Sequence, residues 1–291
     1  MRSLAGILAL TAVLALPAAA GAHELRTYRV DQRLTLPGGA SGEYTLACRH
    51  RDIATDGTWH VDDVESHLGR FNLVSGLDVL EADAFSRGGY RFSLRNNAGG
   101  EAKLRLTVSC LRRDVGPHRL RVGARRQVAA TLAVGLTELP AVRCPDGTLA
   151  VAPGFRITGL GVGRLTASFP GERGRSSRLS LTVLEPTSAT ASARCLRRET
   201  TGRGGHRHAL RTVFRDGRTD VSDGHVETFA VRCREGESAV LGGFRLSGSW
   251  YLGQLPSRDR ISFRVQSPAS GTAGDARLGV LCLRAQSSAP R

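Results

Sequence analysis

The sequence predicts an all-β protein of three tandem immunoglobulin-like β-sandwich repeats, each with one disulfide inside it. Three observations predict this class: stretches in which apolar and polar residues alternate, six cysteines at related spacings, and a high glycine content. Thirty-five glycines and 11 prolines in 291 residues suit many short strands and turns better than long helices. Hydrophobic residues make up 41% of the chain, which is enough to build buried cores.

The N-terminus, residues 1–22, has the pattern of a secretory signal peptide. Arg2 precedes a continuous apolar stretch from Leu4 to Leu16, and small residues lead to Ala22. A membrane helix needs about 20 apolar residues, and neither this stretch nor any later one is that long. We therefore expect cleavage after Ala22, no membrane span, and a mature protein that is periplasmic or secreted.

The rest of the chain shows a threefold repeat. Consecutive cysteine pairs are separated by 62, 51 and 49 residues, and each second cysteine is followed by Leu-Arg. An aromatic residue stands eleven positions after each first cysteine, and a histidine precedes a Leu-Arg pair near each unit's start. These coincidences predict units at residues 23–113, 114–201 and 202–291. The first unit carries an insertion around residues 64–90, in which residues 77–85 are the one stretch of helical character.

An even number of cysteines in an exported chain indicates disulfides. Of the connectivities that six cysteines permit, the repeat selects one within each unit. The predicted bridges are Cys48–Cys110, Cys144–Cys195 and Cys233–Cys282. Each closes a long loop, which the chain-entropy argument values at about 4 kcal/mol.

Each unit also contains period-two alternation typical of strands, as in residues 103–110, 178–183 and 260–265. Glycine-rich turns separate such runs, for example at residues 96–100 and 270–274. The aromatic residue after each first cysteine, namely Trp59, Phe155 or Phe244, is expected to pack on the disulfide. A platform for a ligand is the alternative.

The run from Cys233 to Phe244 reads Cys-x-x-Gly-x-x-Ala-x-x-Gly-Gly, and the run from Cys144 to Phe155 follows it closely. It resembles repeat modules of bacterial exported proteins that close with a cysteine about 50 residues later. The first unit departs from the pattern, with Arg51 where the others have Gly147 and Gly236. Such modules have no single activity, so the resemblance implies an exported β-sandwich and little about function.

Familiar catalytic motifs are missing from the sequence. It contains no Gly-x-Ser-x-Gly, no P-loop, no His-Glu-x-x-His and no calcium-binding loop. Adjacent acids such as Asp62 and Asp63 would point to opposite faces of a strand, so they do not form an acid–base pair. The sequence therefore predicts a protein that is not an enzyme.

The formal charge of +15 is unevenly distributed along the chain. The first unit is nearly neutral, whereas the second and third carry +7 and +6. Arginine binds planar oxyanions through paired hydrogen bonds, so anionic polysaccharides or other cell-surface polymers are candidate partners. A solvated basic surface is the alternative. Aromatic residues are not interleaved with the arginines, which argues against specific nucleic-acid binding. The candidate contact residues are Arg119, Arg121, Arg125, Arg126, Arg173, Arg175 and Arg178.

The histidines give a second hypothesis. Cleavage after Ala22 would leave His23 at the N-terminus, where its amine and imidazole together suit copper(II). His206 and His208 form another candidate metal-binding pair. Against this, these histidines recur at the same place in the repeat, as does His118, which favours a structural role.

The expected function is therefore that of a structural or adhesive protein of the bacterial envelope, matrix or an appendage, with no cofactor. It would contact anionic polymers through the second and third units. Strand addition by the strand that opens each unit would allow self-association. A periplasmic copper-binding protein that uses His23 is the alternative.

Overall fold

A computed structural model describes residues 24–49, 51–64, 76–158, 163–171, 174–201 and 207–287. Within these ranges the chain forms 21 β-strands and no α-helix. In the same ranges, no helix has the length and apolar character needed to cross a membrane. The predicted signal peptide, residues 1–22, and the segment 65–75 of the predicted insertion lie outside the described residues.

The strands follow the cysteine-defined units. The first unit contributes β1 (Thr27–Leu36), β2 (Ser41–Ala47), β3 (Ile53–Val64), β4 (Leu77–Asp83), β5 (Gly89–Asn96) and β6 (Ala102–Leu111). The second contributes β7 (Asp114–Val115), β8 (His118–Arg119), β9 (Val122–Leu132), β10 (Gly135–Glu138), β11 (Val142–Arg143), β12 (Thr148–Thr158), β13 (Gly163–Pro170), β14 (Ser176–Val183) and β15 (Thr187–Arg197). The third contributes β16 (His208–Val221), β17 (Val226–Arg232), β18 (Ser238–Ser247), β19 (Trp250–Pro256), β20 (Arg260–Gln266) and β21 (Gly274–Ser287).

The alternating runs identified in the sequence are strands. Residues 103–110 lie in β6, residues 178–183 in β14 and residues 260–265 in β20. In β14, Leu179, Leu181 and Val183 are buried while the residues between them are more exposed. This alternation is what places one face of the strand on the core.

Residues 77–85 are not helical, so that expectation was wrong. Residues 77–83 form β4, which pairs with β5 and with β12 of the second unit. Nearly every residue of β4 is buried, including Asp78 and Asp83. A strand covered on both faces loses the period-two pattern, and a short apolar run is then ambiguous between helix and strand.

Each large sheet is shared between two units. One sheet has the order β1-β6-β3-β19-β20-β17 and joins the first unit to the third. A second has the order β2-β5-β4-β12-β15-β9 and joins the first unit to the second. The last has the order β10-β14-β13-β18-β21-β16, with β11 also on β14, and joins the second to the third. The units therefore do not form separate sandwiches, since the strands of each are split over two sheets and the three junctions close a ring.

The predicted disulfides Cys48–Cys110, Cys144–Cys195 and Cys233–Cys282 are all present. In each unit the first cysteine precedes the strand that crosses to the neighbouring unit, namely β3, β12 or β18. The second cysteine lies in the unit's last strand, namely β6, β15 or β21. Each bridge therefore ties a segment that leaves one sheet to a strand of the other sheet in the same unit.

The repeated leucines assemble one of the two hydrophobic clusters. This cluster contains the leucine of each opening Leu-Arg pair and the leucine that follows each second cysteine. They are Leu25, Leu120, Leu210, Leu111, Leu196 and Leu283. All six are buried, which gives the repeated Leu-Arg motifs a structural explanation.

The junction of β4 with β12 is polar. Asp83 is buried at the end of β4, where it accepts a hydrogen bond from Ser192 at 2.5 Å and pairs with Arg125. Arg156 of β12 pairs with Glu81 of β4 at 2.8 Å. At the junction of β13 with β18 the contact is aromatic instead: the ring of Phe169 in β13 meets the ring of Phe214 in β16 of the third unit, with centroids 4.9 Å apart.

Glycine permits close approach at two of the junctions. A Cβ on Gly154 of β12 would lie 2.8 Å from the Ala82 carbonyl oxygen of β4. Gly253 of β19 has a φ of 135°, and a Cβ there would overlap the Trp59 carbonyl oxygen of β3. Any larger residue would push the two strands apart, so these positions fix the spacing between neighbouring units.

The shared sheets predict that no single unit folds alone. We expect residues 114–201, produced with the Cys144–Cys195 bridge intact, to lack dispersed amide signals in a two-dimensional NMR spectrum. The reason is that β12 and β13 would both lose their cross-unit partner strands.

The intact mature chain should unfold in one cooperative transition that circular dichroism and tryptophan fluorescence report at the same denaturant concentration. A well-dispersed spectrum from the excised unit would contradict this architecture.

Candidate functional site

A basic groove of about 910 Å³ lies beside the Cys144–Cys195 disulfide. Among the described residues, its charged lining consists of five arginines and two acids, which together have a formal net charge of +3. These residues are Arg121, Arg126, Arg197, Arg198, Arg207, Asp146 and Glu199. The groove belongs to the second unit and to the first described residue of the third.

Backbone pairing positions the arginines. Strands β9 and β15 are antiparallel, and Val122 lies opposite Leu196. Just beyond this pair, the Arg197 N–H donates to the Arg121 carbonyl at 2.8 Å. The Arg198 N–H donates to the Gly147 carbonyl at 2.9 Å, which brings the turn after Cys144 to the groove.

The guanidinium groups of the groove differ in their ion pairs. Arg207 pairs with Glu199 at 3.4 Å. Arg121, Arg126 and Arg197 are exposed, and none of them forms an ion pair with a residue in the described ranges. These three cations are therefore available to an anion from solution.

The structure separates the arginines that the sequence had grouped. Arg121 and Arg126 line the groove, whereas Arg125 points the other way into the ion pair with Asp83. Successive residues of a strand face opposite sides, which explains this division between neighbours. Of the remaining candidates, Arg119 pairs with Asp114 at 3.2 Å.

Arg175, Arg178 and Arg173 complete the predicted set. Arg175 pairs with Asp146 on the groove's edge. Arg178 is exposed on β14, outside the groove lining. Arg173 lies outside the described residues.

Three groove arginines were missed by the sequence reasoning: Arg197, Arg198 and Arg207. A signal for Arg197 was present, because it belongs to the Cys-Leu-Arg motif that ends each unit. In every unit the backbone of this arginine lies next to the backbone of the arginine in the opening Leu-Arg motif, because the first and last strands of the unit are paired. The pairs are Arg26 with Arg112, Arg121 with Arg197, and Arg211 with Arg284, and all six residues are exposed.

The predicted metal ligands are only partly within the described residues. His208 is buried at the start of β16, and its ring meets the ring of His118 edge-on, with centroids 4.7 Å apart. The His118 Nδ1 lies 3.0 Å from the Thr201 carbonyl oxygen, which can only accept, so Nδ1–H is the donor. His23 and His206 lie outside the described residues.

A cluster of Cys233, Cys282 and Glu237 has the spacing of metal ligands. Both sulfurs are joined in a disulfide, so neither is a thiolate. Glu237 accepts hydrogen bonds from the Arg215 guanidinium, at 2.9 and 3.0 Å from Nη2 and at 3.2 Å from Nε. This cluster is structural.

No known protein-family model matches the chain, and no curated protein matches it significantly in sequence. The candidate function therefore depends on the geometry of the chain itself.

A buried carboxyl lies where the first unit meets the third. Asp56 of β3 accepts hydrogen bonds from the Gly242 N–H at 3.0 Å and from Gln254 Nε2 at 2.5 Å. Burial is the largest influence on this group and raises its pKa to about 7, while the hydrogen bonds oppose the shift. Asp56 therefore links the first unit to the third through these hydrogen bonds, and it is not one of the residues that line the groove.

The raised pKa of Asp56 predicts that folding stability falls as pH rises toward 7. The unfolded chain loses this proton near the ordinary pKa of 3.8, whereas the folded chain keeps it to about 7. Between those values the free energy of unfolding should decrease by at most roughly 1.4 kcal/mol per pH unit. Denaturant unfolding over this pH range measures the slope.

The Asp56→Asn variant should lose this part of the pH dependence. The matched control is Asp63→Asn, which changes an exposed carboxyl near the end of the same strand and should keep the slope of the unaltered protein. If the free energy of unfolding changed with pH equally in Asp56→Asn and in the unaltered protein, Asp56 would not be the source of the pH dependence.

Proposed function

We propose that this protein is an exported, non-enzymatic binding protein that contacts anionic polysaccharides or related cell-surface polymers. The proposed binding site is the basic groove beside the Cys144–Cys195 disulfide. The observation that carries the proposal is the convergence of Arg121, Arg126 and Arg197, which are exposed and form no ion pair within the described ranges.

The chemistry of the groove fits a polymer of sulfate, phosphate or carboxylate groups. Guanidinium groups bind such oxyanions through two parallel hydrogen bonds, and exposed arginines lose less hydration than lysines when they do so. None of the groove residues within the described ranges is aromatic. Base stacking on single-stranded nucleic acid is thus not favoured.

The other two units also carry a pair of exposed arginines like the pair in the groove. The first and third units place exposed arginine pairs, Arg26 with Arg112 and Arg211 with Arg284, at positions equivalent to Arg121 and Arg197. A polymer with many anionic groups can engage more than one weak site at once, which raises its overall affinity.

Export is part of the proposal. Three disulfides are compatible with an extracytoplasmic protein, because such bonds persist in oxidising compartments. The signal-like residues 1–22 and the resemblance to exported repeat modules support the same location. A structural or adhesive role in the bacterial envelope, matrix or an appendage fits these features.

Self-association by strand addition is a further part of this reading. The long strands near the start of each unit, β1, β9 and β16, pair with the last strand of the same unit and lie at sheet edges. Their outer edges could accept a strand from a second copy. Charged residues along β1 and β16 oppose such pairing, so we rank it below polymer binding.

The groove predicts how two substitutions change polymer binding. In the double variant Arg121→Gln/Arg197→Gln, affinity for dextran sulfate should fall about tenfold or more, because two charge-assisted contacts are removed. Calorimetry over a salt series measures this. The slope of log affinity against log salt concentration should decrease by about one for each arginine removed.

The matched control is Arg33→Gln/Arg218→Gln. Both residues are exposed and lie opposite another arginine in their strand pair, but neither lines the groove. The control should bind nearly as well as the unaltered protein, and uncharged dextran should bind to neither. An equal loss in both double variants would show diffuse charge attraction and overturn the groove as the site.

Copper binding is the second candidate function. The observation that favours it is the contact between the buried rings of His118 and His208. The carbonyl that accepts from His118 Nδ1 fixes the orientation of this ring, as hydrogen bonds to the second ring nitrogen do in metal sites. Cleavage after Ala22 would add the amine and imidazole of His23 as further ligands.

The copper hypothesis predicts that the correctly processed protein binds copper(II), detected by metal analysis and electron paramagnetic resonance. One extra residue before His23 should abolish the affinity that depends on the terminal amine. His208→Gln should weaken binding, whereas His225→Gln, at an exposed position, should not. Copper binding that none of these changes affects would exclude this site.

A further inference from the structure

A second cavity, of about 440 Å³, lies where all three units meet. The first unit contributes Trp59 and Val79, the second Phe155, and the third Leu246 and Tyr251. Its size lies within the range typical of small-molecule sites, and its walls are largely apolar, as in such sites.

The aromatic wall comes from the repeat itself. Trp59 and Phe155 occupy the position eleven residues after the first cysteine, and their ring centroids lie 6.3 Å apart. Trp59 also meets Tyr251 edge-on at 5.3 Å. Tyr251 in turn is 2.8 Å from the Thr58 hydroxyl, so its polar group is satisfied inside the protein. These contacts hold the wall in place without a ligand.

Among the described residues that line the cavity, one is charged, and it is basic. The Arg164 guanidinium stands over the Trp250 ring, 5.2 Å from its centroid. It forms no ion pair with any residue in the described part of the chain, and its buried Nε makes no hydrogen bond there. None of the lining residues that the structure describes is acidic.

The rim of the cavity exposes apolar surface. Leu136 is 72% exposed and Leu184 is 60% exposed, and both line this cavity. Exposed leucines that adjoin an apolar cavity mark a place where an apolar molecule would be buried favourably.

We propose that this cavity binds a single-chain amphiphile whose carboxylate pairs with Arg164 and whose hydrocarbon chain lies along the aromatic wall. The apolar walls select the chain, and the Arg164 cation, which has no ion pair within the described residues, selects the anionic head group. This site lies apart from the basic groove and shares no lining residue with it, so it adds a second ligand class.

The test uses the two tryptophans of the chain, Trp59 and Trp250, which both line the cavity. Intrinsic fluorescence of the mature protein therefore reports on this site. Titration with dodecanoate, below the concentration at which it forms micelles, should change the emission and reach saturation. Dodecanol should bind about tenfold more weakly or worse, and each methylene added between octanoate and dodecanoate should raise affinity about fourfold.

Substitution of Arg164 separates head-group recognition from simple apolar binding. Arg164→Met should lower dodecanoate affinity about tenfold and leave dodecanol affinity unchanged, whereas Arg164→Lys should retain the preference for the carboxylate. Arg178→Gln, at an exposed position in the same unit, serves as the control. Unchanged dextran sulfate binding by Arg164→Met would show that the fold and the groove are intact.

Three outcomes would overturn the proposal. They are a lack of saturable change with dodecanoate, equal affinity for dodecanol, and full dodecanoate affinity in Arg164→Met.

Discussion

Strand pairing between units is the interaction on which the rest of this structure depends. The pairings β3 with β19, β4 with β12, and β13 with β18 each join a half-sheet of one unit to a half-sheet of another, which gives two six-stranded sheets and one seven-stranded sheet. A three-stranded half-sheet would expose two edges and bury little surface, so each unit needs its neighbours. Because the third junction returns to the first unit, the ring closes and the outer edges are left to the strands near each unit's start and to β2, β10 and β17.

The three junctions share one arrangement of paired strands but are held together by different side-chain contacts. One holds the Asp83–Arg125 ion pair, one holds the rings of Phe169 and Phe214, and one buries Asp56 against Gln254. If the strand that carries Asp83 paired with the wrong unit, Asp83 would be buried without Arg125 and would leave an unpaired charge. This difference gives each unit a defined neighbour, although the units share one sequence pattern.

The ring also explains why the two candidate sites have different character. The Leu-Arg motifs bury their leucines together and leave their arginines in solvent, which makes one region of the molecule basic. Two of the aromatic residues that follow a first cysteine, Trp59 and Phe155, line the cavity where the three units meet, which makes the other site apolar. The sequence pattern could not show this, since contacts between units cannot be read from the pattern within one unit.

The sequence by itself determined the all-β class, the three disulfides and many of the strands, because these depend on local alternation and on a repeat that aligns the cysteines. It also identified Arg121 and Arg126, whose clustering is visible along the chain. Only the tertiary structure decided that the sheets are shared, that residues 77–83 form a strand, and that Arg125 is half-buried in an ion pair while Arg126 is exposed. The position of Arg197 in the groove and that of Arg164 in the cavity were decided in the same way. The physical reason is that partner choice between strands, and the side of a sheet that a residue faces, depend on residues far away in the chain.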